Sequence, residues 1–187
     1  PRSPAAREAK AAPAGRREQN KQEKLARIAA AAKALFAAKG FAQTTTQEIA
    51  ERAEIGAGTL FLYAKSKEDL LVMVFKDEMI ETSRAGFERV DASDPLLDQL
   101  MYVFGVMIAY HERDLGLARV LIREVTIPTG SERRHHIAVL MRAIYSGIGD
   151  LIRAAQRDGA LRPEVDAESA AQNLFAVYYF GLIAWLS

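Results

Sequence analysis

Apolar residues recur at helical spacing along most of this 187-residue chain, and no stretch alternates apolar with polar residues as a half-buried strand does. In the first helical segment, Leu25, Ile28, Ala32 and Phe36 lie three or four residues apart, and the pattern ends at Gly40. Similar patterns predict five later helices, which begin near residues 67, 95, 114, 131 and 166. The sequence therefore predicts an all-α protein.

The amino-acid composition excludes several kinds of site and indicates the cellular compartment. The chain has no cysteine, which excludes a disulfide framework, a thiolate metal site and a cysteine nucleophile. Its first twenty residues lack the apolar core of a secretory signal. The longest apolar run, 174–186, is shorter than the roughly 20 residues that span a bilayer as a helix. We expect a cytoplasmic protein with no membrane partner.

Charge is divided unevenly along the chain, although the net charge is only +1. Residues 1–67 hold 13 Lys and Arg against 6 Asp and Glu, whereas residues 68–187 hold 12 against 18. A basic N-terminal part suits a polyanionic partner, and chance clustering with a solvated tail is the alternative. Residues 1–20 also lack apolar periodicity, so we expect a flexible basic arm there.

Two short helices separated by a tight turn are predicted between the longer ones. Thr45 with Glu48 forms a capping box that begins a helix over 46–53. A second short helix is expected over 57–63, and a second capping box begins a longer helix at Lys67. A first helix followed by this pair describes a helix-turn-helix head, whose second short helix enters the major groove of DNA.

Residues 35–70 resemble the DNA-binding head of the tetracycline-repressor (TetR) family. The matching positions, in order and spacing, are Gly40, Thr44, Thr45, Ile49, Ala50, Gly58, Thr59, Leu60, Tyr63, Ser66, Lys67, Glu68 and Leu70. Four positions depart from the family pattern: Glu54 replaces a usual Gly, Gly56 a Ser, Phe61 a Tyr and Ala64 a Phe.

The resemblance implies a DNA-contacting set at the start of the first short helix, along the second short helix, and at the start of the longer helix that follows. Its members are Thr45, Thr46, Gln47, Ala57, Gly58, Thr59, Leu62, Tyr63 and Lys67. Thr45 is alternatively a helix cap alone, and Phe61 is a buried staple or a DNA contact. Arg16, Arg17 and Lys21 are candidates for a minor-groove arm or for a solvated tail.

The resemblance further implies a domain order of arm (1–20), DNA-binding head (21–66), and ligand-binding and dimerisation domain (67–187). The helix over 131–157 and the last helix, which is apolar on all sides, are expected to form a homodimer interface. Family members usually carry one more helix, so the second domain is expected to be truncated. Candidate pocket residues are Phe75, Met79, Phe87, Tyr102, Met107, Tyr110, Ile122, Arg123 and Tyr145; ordinary core positions are the alternative for these.

The expected function is a ligand-responsive DNA-binding regulator. We predict a homodimeric repressor that a small-molecule inducer releases from a palindromic operator in double-stranded DNA. No catalytic residue, cofactor or metal site is expected, because the sequence has no Gly-rich phosphate loop, no nucleophile motif and no spaced triad of metal ligands. His135 and His136 are adjacent, so they do not share a helix face and are a poor metal chelate. The alternative is a non-enzymatic helical adaptor with a basic nucleic-acid-binding arm.

Overall fold

The computed structural model describes residues 14–187 and folds them into eight α-helices, with no strand in that range. The helices are α1 (Ala14–Gln43), α2 (Thr46–Arg52), α3 (Ala57–Leu60), α4 (Lys67–Glu88), α5 (Leu96–Glu112), α6 (Leu115–Thr126), α7 (Ser131–Arg157) and α8 (Ala167–Leu186). The all-α prediction is confirmed. No helix within the described residues is long and apolar enough to cross a membrane.

The N-terminal part of α1 differs from the expected arm. Helix extends back to Ala14, so the last seven residues of the arm predicted over 1–20 are helical, and the remainder of that prediction lies outside the described residues. At its other end α1 is kinked at Gly40, which has φ 79° and ψ 162°. Only glycine takes this backbone region at low cost. The helix predicted to end at Gly40 therefore resumes for three residues, and Thr44 Oγ1 donates a hydrogen bond of 2.8 Å to the Gly40 carbonyl.

The chain divides into two compact units, the first ending at Lys65 and the second beginning at Ser66. In the first unit α2 packs against both α1 and α3. Ile28, Ile49 and Leu60, one from each helix, are completely buried there. Their apolar side chains hold three short or polar-faced helices together.

The second unit contains α4 to α8, in which α7 packs against α4, α5 and α8. Its core is built from fully buried aliphatic side chains, among them Leu70, Leu121, Leu140, Ile148 and Ile152. The C-terminus of α7 is closed by a Schellman motif: the Ala160 N–H bonds the Ala155 carbonyl at 2.9 Å, and the Gly159 N–H bonds the Gln156 carbonyl at 3.2 Å. Gly159 has φ 74°, as the sequence pattern required.

An ion cluster inside the second unit joins three helices. The Arg133 guanidinium at the start of α7 donates to Asp69 Oδ1 of α4 at 2.7 and 3.0 Å. It also bonds Glu124 Oε2 of α6, and it lies 3.3 Å from the hydroxyl of Ser66, the N-cap of α4. The Arg133 side chain is only 7% exposed. The cluster therefore fixes the first turn of α4 against α6 and α7.

Candidate nucleic-acid interface and ligand cavity

The start of α2 is fixed by the capping box that the sequence predicts. The Thr45 N–H donates to Glu48 Oε2 at 2.9 Å, and the Glu48 N–H donates to Thr45 Oγ1 at 3.3 Å. Lys39 Nζ bonds the other oxygen of the same carboxylate. The Lys39 hydrogen bond and then those from Thr45 lower the pKa of Glu48 to about 2. Thr45 is thus a helix cap, and its side chain lies at an exposed edge of the unit.

The turn between α2 and α3 contains a residue in the left-handed region. Glu54 has φ 56°, a conformation that glycine adopts more readily than glutamate. This backbone requirement accounts for the glycine that the TetR pattern usually has at this position. The Glu54 carboxylate is exposed and lies 3.8 Å from the Arg27 guanidinium.

Helix α3 has one buried side chain and an exposed opposite face. Leu60 is fully buried, whereas Leu62, in the turn that follows, is 78% exposed. Gly58 is exposed, and a Cβ built on it would meet no heavy atom within 4 Å. The helix is shorter than the predicted 57–63, because Leu62 and Tyr63 donate to carbonyls three residues back instead of four.

The predicted DNA-contacting residues fall into exposed and half-buried groups. Thr45, Gln47, Gly58 and Leu62 are exposed; Thr46, Ala57, Thr59, Tyr63 and Lys67 are half-buried. All except Lys67, the first residue of α4, lie in the first unit. The Gln47 amide donates to Glu51 Oε1 at 2.8 Å, one turn along the exposed face of α2. Phe61 is also exposed and is not the buried staple that was its alternative.

A small cavity of about 20 Å³ lies among α4, α5, α6, α7 and α8 of the second unit. Four of the nine candidate pocket residues line it: Phe75, Met79, Met107 and Ile122. The structure thus brings these four together between packed helices.

The other five candidates do not line this cavity. Tyr102 is exposed on α5, and Arg123 is exposed beside Glu124 at 3.1 Å. Tyr110 donates to Glu78 Oε2 at 2.6 Å, and burial together with that bond raises its pKa. The side chain of Phe87 contacts α7 at Gly147. Tyr145 lines a separate surface cleft between α7 and α8, where its ring meets Phe175 edge-on.

Sequence reasoning missed the polar residues of the cavity. His111 of α5 and Tyr178 of α8 both line it, and within the described residues His111 Nδ1 and the Tyr178 hydroxyl are buried without a hydrogen-bond partner. Burial lowers the pKa of His111 to about 4 and raises the pKa of Tyr178. The all-round apolar pattern of α8 assigned its aromatics to an interface, and nothing in the pattern distinguished the cavity-facing ones. No group of three potential metal-ligating side chains occurs in the part of the chain that the structure describes.

The sequence of this chain is similar to those of known bacterial regulatory proteins. Residues 28–74 match the family described as "Bacterial regulatory proteins, tetR family". The HTH-type transcriptional regulator TtgR of Pseudomonas putida is 32% identical over 180 residues, which cover 91% of this chain and 84% of that protein. The Fatty acid metabolism regulator protein of Bacillus subtilis is 24% identical over 166 residues, 89% of this chain and 85% of that protein.

Solved structures share the fold. Thermus thermophilus FadR, a TetR-family transcriptional repressor in complex with lauroyl-CoA, superposes with a TM-score of 0.73 at 23% identity, over 87% of this chain and 83% of that one. Bacillus subtilis FadR in complex with stearoyl-CoA gives a TM-score of 0.62 at 24% identity, over 86% of both chains.

Proposed function

Because this chain belongs to the TetR family of bacterial DNA-binding transcriptional regulators, we propose that it acts in the cytoplasm as a homodimeric repressor of a palindromic operator. A small-molecule inducer bound in the second unit releases it. The ligands of the two FadR structures, both acyl-CoA molecules, support a small molecule as the regulatory signal.

The observation that carries the proposal is the exposed face around α3. An element that enters a major groove roughly 12 Å wide needs small residues where backbone approaches backbone, and an occasional side chain that reaches the bases. Gly58 and the exposed Leu62 meet these two requirements on the same short segment. The excess of Lys and Arg in residues 1–67 supplies the attraction to phosphate.

Separate roles are proposed for the polar residues. Tyr63 and Lys67 contact phosphates, which every sequence presents, and Gln47 contacts the backbone or an outer base at the start of α2. Phosphate contacts position a protein on DNA, whereas base contacts specify the sequence. Thr45 and Thr46 hold the N-terminus of α2, and Ala57 and Thr59 allow close approach of α3.

The dimer is proposed to form through α8 together with α7. On α8, Val177 and Phe180 are 75% and 73% exposed, which is unusual for large apolar side chains on one helix. A second copy related by two-fold symmetry would cover both. Two recognition helices then read half-sites about 34–36 Å apart, one turn of DNA.

The test is selection of bound sequences from a random DNA pool, read at two salt concentrations. We expect a palindrome to be enriched, with binding that weakens steeply as salt rises. In binding assays on that palindrome, Tyr63→Ala and Lys67→Ala should weaken binding to every operator variant alike. Gln47→Ala should change the preference between variants more than the overall affinity.

Two controls make the result specific. Arg89→Ala removes an exposed charge at the C-terminal end of α4 and should leave DNA affinity unchanged. Phe180→Asp should sediment as a monomer and should no longer bind the palindromic DNA. Absence of both enrichment and low-salt retention would refute the DNA-binding proposal, and equal losses for the three head variants would refute the division of roles.

A further inference from the structure

The cavity in the second unit combines an apolar wall with two polar atoms that have no partner among the described residues. His111 is 3% exposed and Tyr178 is 9% exposed, yet within residues 14–187 neither His111 Nδ1 nor the Tyr178 hydroxyl has a hydrogen-bond partner. A buried polar atom without a hydrogen-bond partner destabilises a folded protein, so such atoms are rare in native structures and often mark a functional site. Here two occur on facing helices, α5 and α8, around one cavity.

We propose that His111 and Tyr178 bind the single uncharged polar group of an otherwise apolar inducer. This inference rests on the function proposed above and names the chemical class of its ligand: a hydrocarbon body that carries a hydroxyl, ketone, ester or amide group. The Tyr178 hydroxyl donates to a carbonyl or hydroxyl oxygen, and a neutral imidazole donates or accepts at Nδ1 according to its tautomer.

The charge of the bound group follows from the wall of the cavity. The residues that line it include no Lys, Arg, Asp or Glu. Burial holds His111 neutral, because it lowers its pKa to about 4. An ionised carboxylate or ammonium would lose its hydration without gaining a counter-ion, which strongly disfavours its binding.

The body of the ligand has room only if side chains move. At about 20 Å³ the cavity holds roughly one water molecule as it stands. Three methionines line it, Met79, Met107 and Met141, and methionine repacks more readily than branched or aromatic residues. A ligand that displaces them gains an apolar, adaptable wall.

Tyr178 also belongs to the wall that this cavity shares with a larger space. Tyr178 also lines an open groove of about 590 Å³ between α5 and α8. Leu182 is the other residue that lines both the cavity and the groove. The Tyr178 ring is stacked on Phe104, with centroids 4.8 Å apart and an interplanar angle of 9°. Tyr178 and Leu182 therefore form the boundary between the cavity and the groove.

The experiment measures binding of four eight-carbon probes to the full chain by calorimetry: 1-octanol, 2-octanone, octanoate and n-octane. We expect the alcohol and the ketone to bind at least about tenfold more tightly than octanoate or octane, as one hydrogen bond to buried partners allows. Tyr178→Phe and His111→Phe should each weaken binding of the ketone by about tenfold. Tyr178→Phe should also raise the melting temperature, since it removes a hydroxyl that has no partner.

Tyr110→Phe is the matched control, because Tyr110 does not line the cavity and its hydroxyl donates to Glu78 Oε2 at 2.6 Å. It should lower the melting temperature and leave the affinity for 2-octanone unchanged. The proposal is overturned if no neutral probe binds, if octanoate or octane binds as tightly as the ketone, or if both anchor variants keep full affinity. It is also overturned if Tyr178→Phe lowers the melting temperature as Tyr110→Phe does.

The DNA selection is run in parallel to separate the two proposals. Ketone binding by a protein that retains no DNA supports the polar anchor and refutes the repressor. Operator binding by a protein that binds no neutral probe supports the repressor and refutes the anchor.

Discussion

Replacement of Arg133 by methionine is expected to destabilise the second unit by about 3–5 kcal/mol, the usual cost of breaking a buried ion pair from one side. The guanidinium makes two hydrogen bonds to Asp69 Oδ1 at 2.7 and 3.0 Å and one to Glu124. The side chains of Asp69 and Glu124 are 15% and 12% exposed, so the Arg133 charge would be lost in a place that water reaches poorly. Glu124 keeps the exposed Arg123 at 3.1 Å, so most of the loss is expected at Asp69. Methionine keeps most of the packing of the arginine stem, and the loss is therefore mainly electrostatic.

Urea denaturation followed by tryptophan fluorescence is the assay, because the single tryptophan, Trp185, lies on α8 of the second unit. Arg153→Met is the matched control on the same helix. Arg153 pairs with Asp150 at 2.8 Å, but the pair is exposed to solvent and should contribute no more than about 1 kcal/mol.

A triple variant separates charge from packing. Arg133→Met combined with Asp69→Asn and Glu124→Gln removes all three charges and should be less destabilised than Arg133→Met alone. The reasoning is refuted if Arg133→Met costs no more than the exposed control, or if the triple variant loses more stability than the single one.

Three further predictions concern particular side chains. Burial lowers the pKa of His111 to about 4 in the folded protein, whereas an unfolded histidine titrates near 6.5. The unfolded chain therefore binds a proton first on acidification, and the free energy of unfolding should fall by about 3 kcal/mol between pH 6.5 and 4. His111→Phe should flatten this part of the pH dependence measured by urea denaturation, and an unchanged pH dependence would contradict the assignment. Thr45→Ala should cost about 1 kcal/mol in thermal denaturation, because it removes the cap of α2, and a loss near zero would mean that the hydroxyl contributes nothing. A Cβ on Gly147 would come within 2.2 Å of the Phe87 ring, so Gly147→Ala should destabilise the protein by about 1 kcal/mol or more. The same substitution should become stabilising when Phe87 is also replaced by alanine. Gly105→Ala is the control: a Cβ there meets nothing within 4 Å, and the substitution should stabilise α5 by about 1 kcal/mol.

The helices could be predicted because their signals are local in sequence. Apolar spacing and capping residues place the start of α2 at Thr46 and the start of α4 at Lys67, and the structure has both helices beginning there. The C-terminus of α7 was predicted from Gly159 in the same way. The errors also lie at the ends of helices, where α1 resumes after Gly40 and α3 ends in a tighter turn. Small energy differences decide such ends.

The candidate pocket was predicted less well, because it depends on which helices become neighbours. Phe75 and Tyr102 are both aromatic residues at helical spacing, but only Phe75 faces the cavity. Burial of a particular side chain depends on the rotation of its helix against four others, and helical periodicity fixes only the apolar face. His111 and Tyr178 gave no signal, since neither a histidine beside Glu112 and Arg113 nor a tyrosine beside Tyr179 marks a cavity-facing position in the sequence.

The sequence by itself determined the all-helical fold and the family, because capping, helical spacing and the 35–70 motif depend on residues close together in the chain. Tertiary structure alone decided which side chains meet across helices. Arg133 lies 64 residues from Asp69 yet donates two hydrogen bonds to it, and His111 and Tyr178 line one cavity from different helices. Contacts of this kind arise from helix packing, which sums many weak interactions between distant segments and leaves no mark in any short stretch of sequence.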